Sequence, residues 1–231
     1  MSSAKALLFQ NSEYLKIYQE LHGLTRENKT SQPFIPLVPK DWDAAGSNKI
    51  MWCGGATNGW DEGGRPDIFD FHAANRANEE WLRDDFSKRG STDFWRIQRL
   101  CLQEIHTDWD HTIWNNIFKV GGIEKAARGV PSKALQQSQG QLCVRAFEIE
   151  LEILQPKLVV LHVGELTNEI MHLITGPWNS WKVHKVGGND MAAYKVHNGV
   201  DLIWLSRRYA ETTDYLDSFQ WCLNGLEAMK L

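Results

Sequence analysis

The sequence predicts an α/β fold of three layers, with a central and mainly parallel sheet of about four or five strands flanked by helices. Apolar runs at residues 50–53, 113–120 and 158–163 indicate buried strands, and residues 202–205 indicate one more. Helical segments separate these runs. The helix before Pro156 and the strand after it follow the pattern of a right-handed crossover unit, which joins parallel strands.

The composition is that of a folded protein and excludes several classes. A chain of 231 residues can bury a substantial core, so we expect a single domain over 1–231. The net charge of −4 excludes a generally basic nucleic-acid binder but is compatible with a local basic groove. We find no signal-peptide pattern and no apolar run of membrane-spanning length, so we expect a cytoplasmic protein that does not enter membranes.

The cysteines and histidines do not suggest a metal site. Cys53, Cys101, Cys143 and Cys222 are far apart and form no C-x-x-C pair, which predicts reduced thiols and neither a zinc ribbon nor a disulfide framework. Residues 106–111 contain His and Asp, but their spacing matches no helical i, i+4 pair and no third ligand is evident. We interpret this segment as a polar surface loop.

The N-terminal part is predicted to consist of a helix and an extended connection. Apolar residues recur at helical spacing over residues 4–24, which predicts one helix. Pro33, Pro36 and Pro39 then indicate an extended segment, since proline fixes φ and removes a backbone donor. We expect this helix and the Pro-rich connection, together residues 1–47, to pack on the outside of the domain.

The first strand ends at a glycine pair that is a candidate for the wall of a ligand site. Gly54 and Gly55 permit positive φ or a close approach to a bound group, and a turn with Asn58 and Trp60 follows. Ligands of open α/β sheets bind beyond the carboxyl ends of the strands. The alternative is a glycine-rich turn that binds nothing.

The segment after this turn is predicted to be a long loop followed by two helices. Residues 61–71 have no periodicity, which indicates a loop above the sheet. Residues 73–88 predict a polar helix, and residues 91–93 predict the N-cap of the next one. Phe94 and Ile97 belong to the apolar side of that second helix.

The second strand carries two adjacent amides. Because side chains alternate along a strand, Asn115 and Asn116 should point to opposite faces, and at least one could reach the carboxyl end. A side-chain amide offers a donor and an acceptor together, which suits the edge of a pyrimidine or purine. The alternative is an asparagine that holds neighbouring backbone.

The C-terminal half predicts an alternation of helices and strands. Helices are predicted at residues 132–155 and 165–174, and a closing amphipathic helix at residues 216–229. Residues 182–186 predict a strand, and residues 192–197 predict an edge strand followed by an Asn-Gly turn.

Four elements in this order resemble the uracil-DNA glycosylase superfamily, especially the branch that contains its iron–sulfur members. The elements are the loop at residues 54–59, the N-x-x-K segment at residues 116–119, the Cys-containing helix segment at residues 143–147, and the segment from Pro156 to Gly164. The resemblance covers roughly residues 49–209, and the order and spacing carry it more than any single motif.

The resemblance implies a role for each matching position. The first loop would hold the deoxyribose and the catalytic water, with Asn58 positioning that water, and Asn116 would read the pyrimidine edge. Trp60 or Phe69 would stack on a flipped base. The remaining residues implied to bind substrate are Gly54, Gly55, Ala56, Thr57, Lys119, Ser206 and Arg208.

The sequence also departs from the family pattern. Ala56 stands where many relatives have a water-activating Asp or Asn, and Ser206, Arg207 and Arg208 replace the His-Pro start of the final motif. Arg207 or Arg208 could supply positive charge to the leaving base or bind phosphate. The cluster-forming cysteines are missing, so we expect no iron–sulfur cluster and no other cofactor.

Two function classes follow, with DNA as the expected partner. One is a hydrolase that cleaves the N-glycosidic bond of a flipped uracil or modified base. The other is a non-catalytic relative that uses the same site to bind nucleic acid, a nucleotide or a protein. A small-molecule α/β enzyme unrelated to DNA is a further class, because a fold does not determine chemistry.

Overall fold

The structure is a computed structural model of the chain. It describes residues 3–25, 30–46, 49–55, 93–108, 111–122, 131–163, 168–206 and 212–230. Within these ranges, the helices are all too short or too polar to cross a membrane.

A mixed sheet of six strands forms the centre of the described structure. The strand order is β2-β1-β3-β6-β5-β4. β2, β1, β3 and β6 are parallel to one another, whereas β5 runs antiparallel to β6 and β4 antiparallel to β5. The strands are β1 Ile50–Gly54, β2 Thr112–Asn116, β3 Leu158–His162, β4 Lys182–Val186, β5 Asn189–His197 and β6 Val200–Leu205.

Helices cover both faces of the sheet. Residues of α2 and α4 belong to one core cluster with alternate residues of the strands, and residues of α3 and α6 belong to a second cluster with the other residues. The predicted α/β arrangement is therefore present. The helices are α1 Ser3–Gln10, α2 Ser12–Thr25, α3 Asp93–Glu104, α4 Lys133–Leu154, α5 Asn168–Thr175 and α6 Thr212–Ala228.

The parallel strands are apolar because both of their faces are covered. All five residues of β1, β2 and β3 are buried. Met51 belongs to the cluster of α2 and α4, whereas the neighbouring Trp52 belongs to the cluster of α3 and α6. This two-sided burial explains why these strands read as continuous apolar runs rather than as an alternating pattern.

The N-terminal connection runs along the outer edge of β2. Phe34 N donates to Lys119 O at 2.7 Å, and Leu37 N donates to Trp114 O at 2.9 Å. Trp114 N donates back to Leu37 O at 3.3 Å. These bonds satisfy backbone groups that an edge strand would otherwise leave open.

Three sequence predictions about elements need correction. The predicted helix 4–24 is two helices, because the side chain of Asn11 accepts from Tyr14 N at 2.9 Å and starts α2 anew. The predicted strand 113–120 ends at Asn116, as described below. The predicted edge strand 192–197 lies within β5, which is internal because β6 and β4 flank it. The sheet has more strands and more antiparallel character than predicted.

Candidate functional site

Three parallel strands end at the same level on one side of the sheet. Gly54, the last residue of β1, is in register with Asn116 of β2 on one side and with His162 of β3 on the other. Because residues in register on parallel strands share a face, Asn116 and His162 both point to the side of α3 and α6. An amide and an imidazole therefore flank a glycine at the carboxyl ends of these strands.

Only glycine fits at position 54, because the side-chain amide of Asn116 occupies the space of a Cβ. A Cβ on Gly54 would lie 2.6 Å from Asn116 Oδ1 and 3.5 Å from Cζ of Phe94. The first of these distances is shorter than any normal contact, so a side chain at this position would displace Asn116. Asn116 is 1% exposed, and its amide is held close to the backbone of β1.

The ends of β1 and β2 are also joined through the backbone. Ile117 N donates to Gly54 O at 2.9 Å, and Phe118 N donates to Gly55 O at 3.2 Å. These bonds continue the contact between the two segments past Asn116, the last residue of β2, although the apolar sequence runs on. They also bring Gly55 to the same strand ends as Asn116.

His162 lies in a cluster of aromatic rings. Phe94 stacks on it with ring centroids 5.1 Å apart and an interplanar angle of 11°. Trp52 and Tyr215 contact it edge-on at centroid distances of 5.9 Å and 6.0 Å. His162 is 2% exposed, so the rings exclude water from the imidazole in the described conformation.

Asn115 points to the opposite face, as predicted for the adjacent amide. Its Nδ2 donates to Glu150 Oε2 of α4 at 2.7 Å, and its Oδ1 accepts from Lys119 Nζ at 2.7 Å. Oδ1 also accepts from Asn116 N at 2.8 Å. Asn115 therefore holds neighbouring backbone, including that of Asn116, by bonds on the far side of the sheet.

Lys119 takes part in a buried ion pair with Glu150. The ammonium group lies 2.9 Å from the carboxylate, and both side chains are 0% exposed. Tyr14 of α2 donates to Glu150 Oε1 at 2.7 Å, which connects the N-terminal helix to the pair. The contacts that the structure gives Lys119 are internal to the core. Its predicted substrate-binding role stays a prediction.

The structure describes only some of the other predicted site residues. Ser206 follows β6, is 2% exposed and donates its backbone N–H to Met191 O at 2.9 Å. Gly54, Gly55 and Asn116 lie together at the ends of β1 and β2. The predicted site residues that lie outside the described ranges are Ala56, Thr57, Asn58, Trp60, Phe69, Arg207 and Arg208. From their places at strand exits we predict that Gly55, Asn58, Asn116 and Arg207 converge on one cleft, which for Asn58 and Arg207 stays a prediction.

Sequence reasoning missed His162 and placed Phe94 only in a helix core. The signal for His162 was present, since it is the one polar residue in an apolar strand and stands at the carboxyl end. What could not be read was which face and which neighbours it would meet, because these depend on the pairing of β1 with β3.

Metal ligands do not gather anywhere in the described residues. No group of three or more His, Cys, Asp or Glu side chains there could hold a metal ion. In the 106–111 segment, His111 pairs with Asp108 at 2.7 Å, and both side chains are more than half exposed. Their arrangement is that of a surface pair.

Comparisons with known proteins do not assign the chain to a family. No model of a protein family matches it, and no curated protein matches it.

Proposed function

We propose that this protein binds a flipped uracil or modified base of DNA at the carboxyl ends of β1, β2 and β3 and hydrolyses its N-glycosidic bond. The observation that carries the proposal is the pairing of Gly54 with Asn116, which holds a side-chain amide 2.6 Å from the position of a Cβ on Gly54. A side-chain amide carries both N–H donors and an acceptor oxygen, which together suit the edge of a base.

The support for Asn116 comes from the opposite face of β2. Asn115 Oδ1 accepts from Asn116 N, and Lys119 and Glu150 in turn hold Asn115. The backbone of Asn116 is thereby fixed by buried groups that do not face the site. Holding a recognition group rigidly reduces the ordering cost of binding.

The proposed chemistry is hydrolysis without a cofactor. A water oxygen attacks C1′ of the deoxyribose, and the bond from C1′ to the base nitrogen breaks. The water loses one proton and becomes the C1′ hydroxyl, while the base leaves with the electron pair and takes up one proton. Asn58 would orient the water, and Arg207 would stabilise the negative charge on the leaving base. Trp60 or Phe69 would stack on the base, and Arg208 would bind phosphate.

Single-turnover cleavage of a uracil-containing single-stranded oligonucleotide tests this function. We expect the wild type to cleave it and to spare the matching thymine oligonucleotide. Asn58→Ala should remove most turnover and leave binding of a product analogue nearly intact. Asn116→Ala should weaken base binding by about 1–3 kcal/mol, the range for a bidentate amide contact.

A matched control is Asn224→Ala, which removes an exposed amide on α6. It should leave both binding and cleavage unchanged. If the wild type neither cleaves the uracil oligonucleotide nor binds it better than the thymine one, the proposed function is wrong. Full activity in Asn58→Ala would assign water positioning to another residue.

One observation favours a second function, the binding of nucleic acid without chemistry. Residues 54–60 contain no Asp, Glu or His, so the first loop offers no general base. In that case the wild type would bind the uracil oligonucleotide in preference to the thymine one but leave it intact. Asn116→Ala would then weaken binding by the same amount as in the enzyme.

A further inference from the structure

We infer that Phe94 occupies, in the described conformation, a slot that accepts a planar base against His162, and that the ring must swing out for the base to enter. The base slot is the space bounded by Gly54, Asn116 and His162. The inference rests on the proposed function, which it extends by adding a stacking residue and a gate.

The ring of Phe94 stacks on His162 and reaches the space that a side chain at position 54 would occupy. Its Cζ and Cε2 atoms are 3.5 Å and 3.6 Å from the position of a Cβ on Gly54, a position that is itself 2.6 Å from Asn116 Oδ1. Phe94 thus fills the space above Gly54, beside the amide of Asn116. A residue with a side chain in place of Gly54 would close this space.

Phe94 also faces His162 as a base would. The two rings are nearly parallel, at 11°, with centroids 5.1 Å apart. Parallel, offset rings are the arrangement in which nucleobases stack on aromatic side chains. A pyrimidine in the same place would stack on His162 and present its edge towards the amide of Asn116.

Burial shows that something must move before a ligand can enter. Asn116 is 1% exposed and His162 is 2% exposed, so neither can touch a ligand from solvent in the described conformation. Phe94 is only partly buried and is the second residue of α3, at the N-terminus of the helix. A change of rotamer at such a position moves the ring without moving the sheet.

The competing interpretation is that Phe94 is a permanent core residue. Its ring contacts Trp95 edge-on at 5.1 Å, and Trp95 contacts Trp114 at 5.1 Å. If this packing were the whole role of Phe94, shortening its side chain would loosen the site and weaken any binding. If Phe94 is a gate, shortening its side chain should instead strengthen binding. The direction of the change in affinity therefore separates the two interpretations.

The test compares Phe94→Leu with Trp95→Leu. Both changes replace an aromatic ring of the same cluster on α3 by leucine, but only the first removes the ring that stacks on His162. Binding of a uracil-containing single-stranded oligonucleotide is measured by fluorescence anisotropy at one fixed salt concentration, because affinity for DNA depends on salt. Thermal unfolding verifies that each variant is folded.

We expect Phe94→Leu to bind the oligonucleotide about fivefold to tenfold more tightly than the wild type, since a closed gate lowers the apparent affinity. Trp95→Leu should bind no more tightly than the wild type. Adding His162→Ala to Phe94→Leu should abolish the gain. If the wild type binds and Phe94→Leu binds more weakly, the gate is wrong and the proposed function stands. If neither protein binds, both are wrong.

A measurement on the wild type covers the case in which Phe94→Leu does not fold. In nuclear magnetic resonance of the free protein, the Phe94 and His162 ring protons should show a nuclear Overhauser effect, because the rings are stacked. Saturation with the uracil oligonucleotide should remove this signal and shift the His162 ring resonances. Persistence of the signal in the saturated complex would show that the base does not displace Phe94.

Discussion

Lys119 Nζ lies 2.9 Å from both carboxylate oxygens of Glu150, and neither side chain is exposed to solvent. Asn115 bonds to both residues, and Tyr14 donates to the carboxylate. The pair therefore joins α2, α4 and the end of β2 inside the core, on the face of the sheet opposite to Asn116. Buried charges of this kind are stable only while every member has its partner.

Removal of the lysine charge is expected to destabilise the fold strongly. Lys119→Met should lower the free energy of unfolding by about 3–5 kcal/mol, because it leaves the Glu150 carboxylate buried without its cation. The matched control is Glu13→Gln, which breaks an ion pair with Arg145 whose side chains are 51% and 45% exposed. Urea denaturation should show a much smaller loss for Glu13→Gln. Equal losses in the two variants would contradict the buried role of Lys119.

Gly54 and Gly140 should respond to alanine in opposite directions. A Cβ on Gly54 would lie 2.6 Å from Asn116 Oδ1, whereas one on Gly140 would meet nothing within 4 Å. We expect Gly54→Ala to lower the free energy of unfolding by about 1–3 kcal/mol and to weaken binding of the uracil oligonucleotide. Gly140→Ala should raise the free energy of unfolding by about 0.5–1 kcal/mol, because it replaces a glycine within α4. Denaturation and anisotropy measure the two effects, and tight binding by Gly54→Ala would refute the placement of Asn116.

Two buried glutamines form a second matched pair. Both amide atoms of Gln98 have no hydrogen-bond partner in the structure of the described residues, and the side chain is 0% exposed. Gln139 is equally buried, but its amide bonds to Val120 N at 3.0 Å and to Val120 O at 2.8 Å. Gln98→Met should raise the free energy of unfolding by about 1–3 kcal/mol, and Gln139→Met should lower it, because only the second leaves backbone groups unpaired. A loss of stability in Gln98→Met would show that its amide has a partner.

The stability of the protein should fall at alkaline pH. Burial raises the pKa of the Cys143 thiol to about 12, and burial followed by the charge of Glu150 raises the pKa of Tyr14 well above its usual value. The unfolded chain therefore loses these protons at lower pH than the folded chain does, which favours unfolding as the pH rises above the ordinary thiol and phenol values.

Urea denaturation between about pH 8 and about pH 11 measures this dependence. The free energy of unfolding should decrease across the range, and the decrease should be shallower in Tyr14→Phe, which lacks the ionisable hydroxyl. The thiols, all four of them buried, should also resist a thiol reagent in the native protein and react once it is unfolded. An identical slope in the wild type and Tyr14→Phe would show that Tyr14 ionises equally easily in both states.

Several elements could be predicted because their cause is local. β3 reads as apolar because both faces are buried, and Pro156 separates it from α4. Helix α4 was predicted over residues 132–155, and Ser132 caps it by accepting from Leu135 N. The turn at Asn198 and Gly199 has φ values of 51° and 78°, the left-handed backbone that an Asn-Gly pair favours. In each case the deciding residues are neighbours in the chain.

The composition of the candidate site depended on contacts between distant segments. β2 ends at Asn116 although the apolar sequence continues beyond it, and no local signal in the sequence marks that end. His162 joins the site because β1 lies between β2 and β3. The N-x-x-K spacing predicted a substrate-binding role for Lys119, and no local signal indicated that Glu150, far along the chain, pairs with it in the core. A sequence pattern records whether a residue is buried, whereas its partners are set by the packing of whole elements.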